Sequence, residues 1–341
     1  DLNDIFLKNA TSIAVARPNK RDVSYKTFGE MIASVQSVLT KRSPRAVGIL
    51  STRSLEAYVS VMAAFFSGIR FVPLNPELPI ERLKKIIHHG QVDFILYDDK
   101  YRDSDVILTG LGCDIAMAAS REDAPTSPTI YEKLKASDIA YQMFTSGSTG
   151  EPKGVPITYD SLAKYVAGIR SMTGRDKGGR FSQLFDLSFD LSMHDIFVAL
   201  VSGGTLVPAS NIDLMMPHAY IEKKTIDYWF SVPLIASVAL RGLGDKQVEH
   251  KLSRAMFCGE QLPTEYATGF RTFMKPNADI YNLYGPTEAT IAFTSKKFEG
   301  ASSDLAVVPL GAPFGDNLIK IKTEVGEIVD AHEGAEGELL L

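Results

Sequence analysis

Cysteine is scarce in this chain. Its 341 residues hold two, Cys113 and Cys258, too few for a disulfide framework, and a reducing cytoplasm is the expected setting. Six histidines are scattered apart from the pair His88-His89. No histidine–cysteine spacing typical of zinc occurs, so a structural transition metal is not expected. There is no basic block and the formal charge is −5, which argues against nucleic acid as a partner. No apolar run approaches bilayer length; Val59 to Phe66 is far too short, and no membrane insertion is expected. The opening, Asp1-Leu-Asn-Asp, has neither a secretory h-region nor an initiator methionine. The numbering is therefore expected to begin inside a longer chain. Internal repeats and low-complexity segments are also missing.

What is present describes an ordinary globular chain, 45% hydrophobic and 23% charged, long enough to bury a large core in more than one domain or subdomain. Apolar runs alternate with helical patterns. Ala46–Ser51, Asp93–Tyr97 and Val106–Thr109 read as strands, as do Phe181–Leu184, Thr205–Val207, Tyr228–Val232 and Ala255–Cys258. Helices are expected from Ser24 or Thr27 to Leu39, Leu55 to Ser67, Ile80 to His89, and Thr158 or Asp160 to Met172. Such alternation predicts layered α/β architecture with largely parallel sheets. Beyond Asp304 the chain turns Gly- and Pro-rich with short β runs, Leu318–Lys322 and Gly337–Leu341, which reads as a small β-rich module.

The stretch Phe144-Thr-Ser-Gly-Ser-Thr-Gly-Glu-Pro-Lys-Gly154 follows the apolar run Ile139–Phe144. Glycines let backbone N–H groups approach a polyphosphate, hydroxyls donate to it, and the ammonium adds a point charge. A P-loop would need its lysine at the opening of a helix. Lys153 instead lies between Pro152 and Gly154, which predicts a phosphate loop of another kind; a Gly/Ser linker is the plain alternative. Residue for residue, the stretch resembles the nucleotide-gripping signature of the adenylate-forming superfamily, which includes acyl-CoA synthetases, luciferases and the amino-acid-activating domains of peptide synthetases.

Five further stretches resemble the same superfamily, in order, from about Val23 to the end: Phe71–Pro76, Phe189–Ser192, Phe257–Pro263, Asn282–Glu288 and Gly337–Leu341. The resemblance implies an adenylation core at 1–303, built of two α/β subdomains dividing near 135–180. It implies the start of a distorted β-barrel subdomain at 304–341. A mobile C-terminal lid domain with a catalytic lysine is expected beyond this chain, and residues 1–341 alone are expected to adenylate weakly. The implied ATP contacts are Thr145, Ser146, Gly147, Ser148, Thr149, Gly150, Lys153, Gly259, Glu260, Asn282, Tyr284, Gly285 and Thr287. Thr145, Lys153, Thr287 and Glu288 would be catalytic, with Glu288 the Mg²⁺ ligand.

The chemistry of these side chains agrees. Tyr284 offers a flat face to a purine and Asn282 a polar edge. Thr287 can donate to an α-phosphate oxygen, and Glu288 is a hard-oxygen ligand for Mg²⁺. A turn followed by a helix cap remains the alternative for Thr287 and Glu288.

Asp190 lies in a mostly apolar stretch, where a carboxylate needs a cation or several donors. In the amino-acid-activating branch the matching aspartate binds the substrate's α-ammonium; helix capping is the alternative. By resemblance, Leu191, His194, Met256, Cys258, Leu283, Ile291 and Ala292 line a short side-chain pocket, although Cys258 could be plain core. The run is most like ligases that charge a carrier protein with D-alanine. Leu283 and His194 depart from that pattern and leave glycine, L-alanine and serine open. The implied reaction consumes ATP with Mg²⁺, releases pyrophosphate, and passes the aminoacyl group to the phosphopantetheine thiol of a carrier protein. Rival readings are an acyl- or aryl-CoA synthetase on the same fold, or a non-catalytic nucleotide- or carrier-binding module.

Overall fold

Local sequence sets most element boundaries. The chain opens with α1 (Leu2–Lys8), β1 (Ile13–Val15), β2 (Val23–Ser24) and α2 (Tyr25–Arg42). The Ser24 hydroxyl accepts from Thr27 N–H to start α2, and Ser43 in the left-handed conformation ends it. Helix α3 (Leu55–Phe66) is capped by Ser54 and is followed by Gly68 at φ 69°. Helix α4 spans Ile80–His89, and Thr158 caps α5 (Tyr159–Met172). The computed structural model describes residues 2–17, 20–101, 110–117, 127–146, 151–174, 177–300, 305–331 and 334–340. The expected strand at Val106–Thr109 lies outside the described residues.

Six strands form the first sheet: β3 (Ala46–Leu50), β4 (Arg70–Leu74), β5 (Phe94–Tyr97), β6 (Asp114–Met117), β7 (Ile139–Ser146) and β8 (Pro152–Thr158). Their order is β6-β5-β3-β4-β7-β8, and all run parallel except β8, which returns antiparallel along β7. Every residue of β3 is buried, as its unbroken apolar run requires for a strand covered on both faces.

The second sheet takes β9 (Arg180–Gln183), β10 (Thr205–Pro208), β11 (Tyr228–Ser231), β12 (Leu252–Phe257), β13 (Met274–Tyr284), β14 (Thr294–Lys297) and β15 (Ala312–Pro313), together with β1 and β2. Between these strands run α6 (Leu191–Val201), α7 (Asn211–Met215), α8 (Pro217–Lys223), α9 (Pro233–Leu243) and α10 (Thr264–Phe270). Its order is β15-β14-β13-β12-β11-β9-β10-β1-β2, parallel from β13 to β1 with antiparallel edges. A third, antiparallel sheet joins β16 (Lys320–Lys322) to β17 (Ile328–Asp330) and β18 (Glu338–Leu340). This is the expected class: α/β layers with largely parallel sheets, plus a small β-rich region.

One core cluster runs from β3, β4 and β7 through α2, α3, α5 and α6 to β9 and β11–β13. Arg53 staples the two large sheets at its edge. Its guanidinium donates to the carbonyls of Ala209 (3.0 Å) and Leu184 (3.2 Å) and to Asn211 Oδ1 (3.1 Å). Arg53→Ala would strand those acceptors and is expected to cost about 1–3 kcal/mol, read as a lower urea midpoint with unchanged m.

Candidate active site

In an open parallel sheet, ligands collect beyond the carboxyl ends of strands that diverge in order. Here β9 has β10 on one side and β11 on the other, and the loop leaving it carries Asp190. The neighbouring ends supply Cys258–Glu260 after β12 and Tyr284–Glu288 at the end of β13. From the other sheet, β7 and β8 pair Thr145 with Lys153 and Ser146 with Pro152. Lys153 is thus a strand residue rather than the opening of a helix. Gly147, Ser148, Thr149 and Gly150, with the side chain of Ser146, lie outside the described residues. Lys153 Nζ reaches Glu288 Oε1 at 3.4 Å with both side chains more than half exposed, so the β7–β8 hairpin and the β13 turn meet. Lys85 holds the hairpin from outside through Glu151 at 2.7 Å.

The β13 turn is tightly built. A Cβ on Gly285 would lie 2.7 Å from Ala292 Cα and 2.9 Å from Phe293 N, so the glycine is there for a close backbone approach. Thr287–Ala289 form one 3₁₀ turn, so the local helix at Thr287 and Glu288 is a single turn. Thr290 and Ile291 then follow at φ 62° and 71°. Two β-branched residues in the left-handed region are strained, and such strain collects at sites whose surroundings enforce it. The enforced loop returns under Tyr284, whose carbonyl accepts from Phe293 N–H at 2.6 Å. Gly285→Ala is expected to cost about 1–3 kcal/mol by overpacking and to depress nucleotide-dependent activity, checked by thermal melts alongside turnover.

Asp190 stands at the N-cap position of α6 but makes no capping hydrogen bond, so capping does not explain it. Burial pushes its carboxyl above the usual carboxylate range. The Thr287 hydroxyl and the N–H groups of Leu191 and Ile291 lie against the carboxyl and pull the other way. Its Oδ2 is buried without a hydrogen-bond partner. The carboxyl group is held and desolvated, with one oxygen left over.

Around it, Leu191, Met256, Cys258, Leu283, Ile291 and Ala292 belong to one packed cluster, each at most 9% exposed. His194 joins them. Its Nδ1 shares a 2.7 Å hydrogen bond with the Tyr165 hydroxyl and its ring lies 4.0 Å from that of Phe230. Burial lowers the imidazole to about 3, so it is neutral at physiological pH. Its contribution to stability is fully present above the unfolded value near 6.5 and fades as pH falls from there toward 3. Accordingly, His194→Gln is expected to flatten the pH dependence of the urea midpoint between pH 6.5 and 4. Burial pushes the Cys258 thiol up to about 12, which makes it inert as a nucleophile.

Two residues expected at the nucleotide have structural partners. Asn282 is buried, and its Nδ2 donates to the carbonyls of Val308 (2.9 Å) and Pro309 (3.0 Å). Only its Oδ1, which has no partner, is left as an acceptor. The Glu260 carboxylate accepts from Leu234 N–H at 3.3 Å, at the start of α9. Gly259 sits at φ 92° with Val232 and Leu191 against it. Tyr284 is 36% exposed and presents its ring. Among the described residues no group of three His, Cys, Asp or Glu side chains is placed to hold a metal. The lone Glu288 carboxylate therefore fits an ion that arrives with a polyphosphate, not one caged by protein.

The Tyr165 contact to His194 was not legible, because Tyr165 falls in no motif. Nor was a cavity of about 600 Å³ lined by Lys164, Tyr165 and Gly168 of α5, by Glu288 and Ala292, and by Phe314.

Layered, largely parallel α/β sheets, with the β7–β8 hairpin and the β13 turn meeting through Lys153 and Glu288, fit a nucleotide-dependent enzyme. Residues 7–341 match the family model described as AMP-binding enzyme, and the chain belongs to that family. Among curated proteins it is 34% identical over 294 residues to a D-alanine–D-alanyl carrier protein ligase of Listeria monocytogenes, covering 83% of this chain and 56% of that one. The corresponding Staphylococcus epidermidis ligase is 30% identical over 335 residues, covering 96% and 67%. The chain spans about half the length of the Listeria relative it matches. Among solved structures, the Vibrio cholerae adenylation domain AlmE in complex with glycyl-adenosine-5'-phosphate superposes with TM-score 0.88 at 28% identity, covering 99% of this chain and 69% of that one. The crystal structure of IdnL7 gives 0.84 at 27%, covering 99% and 71%.

Proposed function

We propose that this chain activates a small amino acid as its aminoacyl adenylate and delivers it to the phosphopantetheine thiol of a carrier protein. The observation that carries the reading is Asp190 Oδ2, a buried carboxylate oxygen without a partner, set beside Thr287. An α-ammonium supplies the missing cation. That fixes the substrate so that its own carboxylate lies toward Thr287, Thr145 and Lys153. A carboxylate oxygen then attacks the α-phosphorus of ATP; the new C(O)O–P bond forms as the bond to the pyrophosphate oxygen breaks. Lys153 and the Thr145 and Thr287 hydroxyls stabilise charge on the phosphates. When bound, Mg²⁺ on Glu288 neutralises charge on the leaving pyrophosphate. In the second half, a thiol sulfur attacks the acyl carbon, AMP departs with the carboxyl oxygen it gained, and the thiol proton passes to solvent.

The tight packing of Leu191, Met256, Leu283 and Ile291 supports a substrate with little or no side chain, in the class of glycine, alanine or serine. The D-alanyl carrier protein ligases and the glycyl complex of AlmE agree with that size, and the family's ATP use agrees with the phosphate-binding hairpin. An acyl- or aryl-acid synthetase would bury Asp190 with nothing to neutralise it.

Pyrophosphate exchange tests the reading, run on full-length protein with glycine, both alanine enantiomers, serine, acetate, octanoate and benzoate. Exchange stimulated at least tenfold by one of the four amino acids over the other acids is expected. Equal or greater exchange with the acids lacking an amino group would refute it.

A further inference from the structure

The hairpin that carries Thr145 and Lys153 reaches past the strand that supports it. Strand β7 is in register with β4 at Tyr141–Phe71, whereas its pairing with β8 continues to Ser146–Pro152. Strand β8 is also the edge of its sheet, so the ladder holds Lys153 from one side only. A cation on such an overhang needs support from outside the ladder if it is to stand in one place.

Helix α4 is placed to give that support. Leu83, Ile86 and Ile87 bury one face of the helix in a cluster with residues of β3, β4 and β5, and Phe144 of β7 packs against the same cluster. Arg70, at the start of β4, donates to the Gly90 carbonyl at 2.8 Å and fixes the helix end. A Cβ on Gly90 would lie 3.4 Å from Phe144, so that end meets β7 closely. The polar side of α4 touches the hairpin at two points four residues apart, the spacing that puts side chains on one helix face. Lys85 Nζ lies 2.7 Å from Glu151 Oε1, and His89 Nδ1 lies 3.4 Å from the Pro152 carbonyl oxygen. A carbonyl only accepts, so that ring nitrogen carries the proton. Glu151 and Pro152 immediately precede Lys153.

We propose that Lys85 and His89 are positioning residues for the triphosphate: by clamping Glu151 and Pro152 to α4, they hold Thr145 and Lys153 where the outer phosphates arrive. The clamp serves placement more than folding. Lys85 and Glu151 are each about half exposed, and pairs of that kind add little to stability. Misplacing a charged group by about 1 Å costs a reacting site far more than it costs the fold. This rests on the nucleotide-binding part of the reading above and is independent of which acid is activated.

The test is calorimetry on full-length protein with two probes, α,β-methylene-ATP with Mg²⁺, and AMP, which lacks the outer phosphates. Lys85→Glu is expected to weaken triphosphate binding about fivefold, the fold-change of a lost exposed ion pair. Adding His89→Ala should take the loss to about tenfold or more. AMP should bind as it does to the wild type, and the melting temperatures should match. The charge swap Lys85→Glu with Glu151→Lys keeps the wild-type net charge and should restore the triphosphate affinity. A swap that binds no better than Lys85→Glu overturns the inference, because the loss then belongs to the field of the added carboxylate. Unchanged triphosphate affinity in the variant with both Lys85→Glu and His89→Ala overturns it too. So does an equal loss of both probes with a lower melting temperature, which marks a structural role. A wild type that does not bind the triphosphate overturns the nucleotide reading itself, and this inference with it.

Discussion

Asp190→Ala is expected to lower kcat/KM for the amino acid on the order of 10²-fold or more while leaving the KM for ATP close to wild type. The reason is asymmetric desolvation. The protein has already buried the carboxyl and raised it above its usual range, so on the proposed reading an ammonium would gain a strong interaction without dehydrating its partner at the moment of binding. Losing the carboxylate leaves a desolvated ammonium unpaired, which is among the costlier single changes a site can suffer.

The raised carboxyl has a pH consequence. Free enzyme takes up a proton at Asp190 above the ordinary carboxylate range, so the amino-acid KM should climb as pH falls through that elevated value. Stability runs the opposite way: a raised carboxyl contributes fully below its unfolded pKa, and that contribution is lost as pH rises through the folded one. At neutral pH Asp190→Ala should therefore melt no lower than wild type while being nearly inactive. Loss of activity accompanied by a large fall in melting temperature would assign Asp190 to the scaffold.

Glu288→Gln is the second large effect, expected at about 10²–10³-fold in kcat with almost no change in stability. Its ion pair with Lys153 is 3.4 Å long and exposed on both sides, and pairs of that kind contribute little to folding. Any sizeable effect must then come from the nucleotide complex. The variant should also need more Mg²⁺ for half-maximal exchange, because a neutral amide is a poorer hard-ion ligand. An unchanged Mg²⁺ dependence would remove Glu288 from the metal's coordination.

Legibility from sequence followed the range of the interaction. Helix starts at Ser24, Ser54 and Thr158 depend on bonds made three residues away, and the eye can find them. The buried strands β3 and β5 declared themselves by unbroken apolar runs. By contrast, β1 has three residues and joins the large sheet by placing Val15 beside Leu206, a pairing no local pattern encodes.

The site divides the same way. Motif spacing marked Lys153, Asp190 and Glu288, and the fold brings the hairpin, the β9 loop and the β13 turn to one place. Asn282 is expected at the purine; that its donor is held by carbonyls 26 and 27 residues downstream, leaving only Oδ1 without a partner, composition could not reveal. Tyr165 looks like any core tyrosine until its hydroxyl is followed to His194.

A crystal structure of the protein with a glycyl-adenylate analogue tests the central claim most directly. The account predicts the ammonium nitrogen within about 2.7–3.2 Å of Asp190 Oδ2, with the phosphate mimic between Thr287 and the Thr145–Lys153 hairpin. An ammonium facing solvent, or a nucleotide bound away from Glu288 and Lys153, would contradict it.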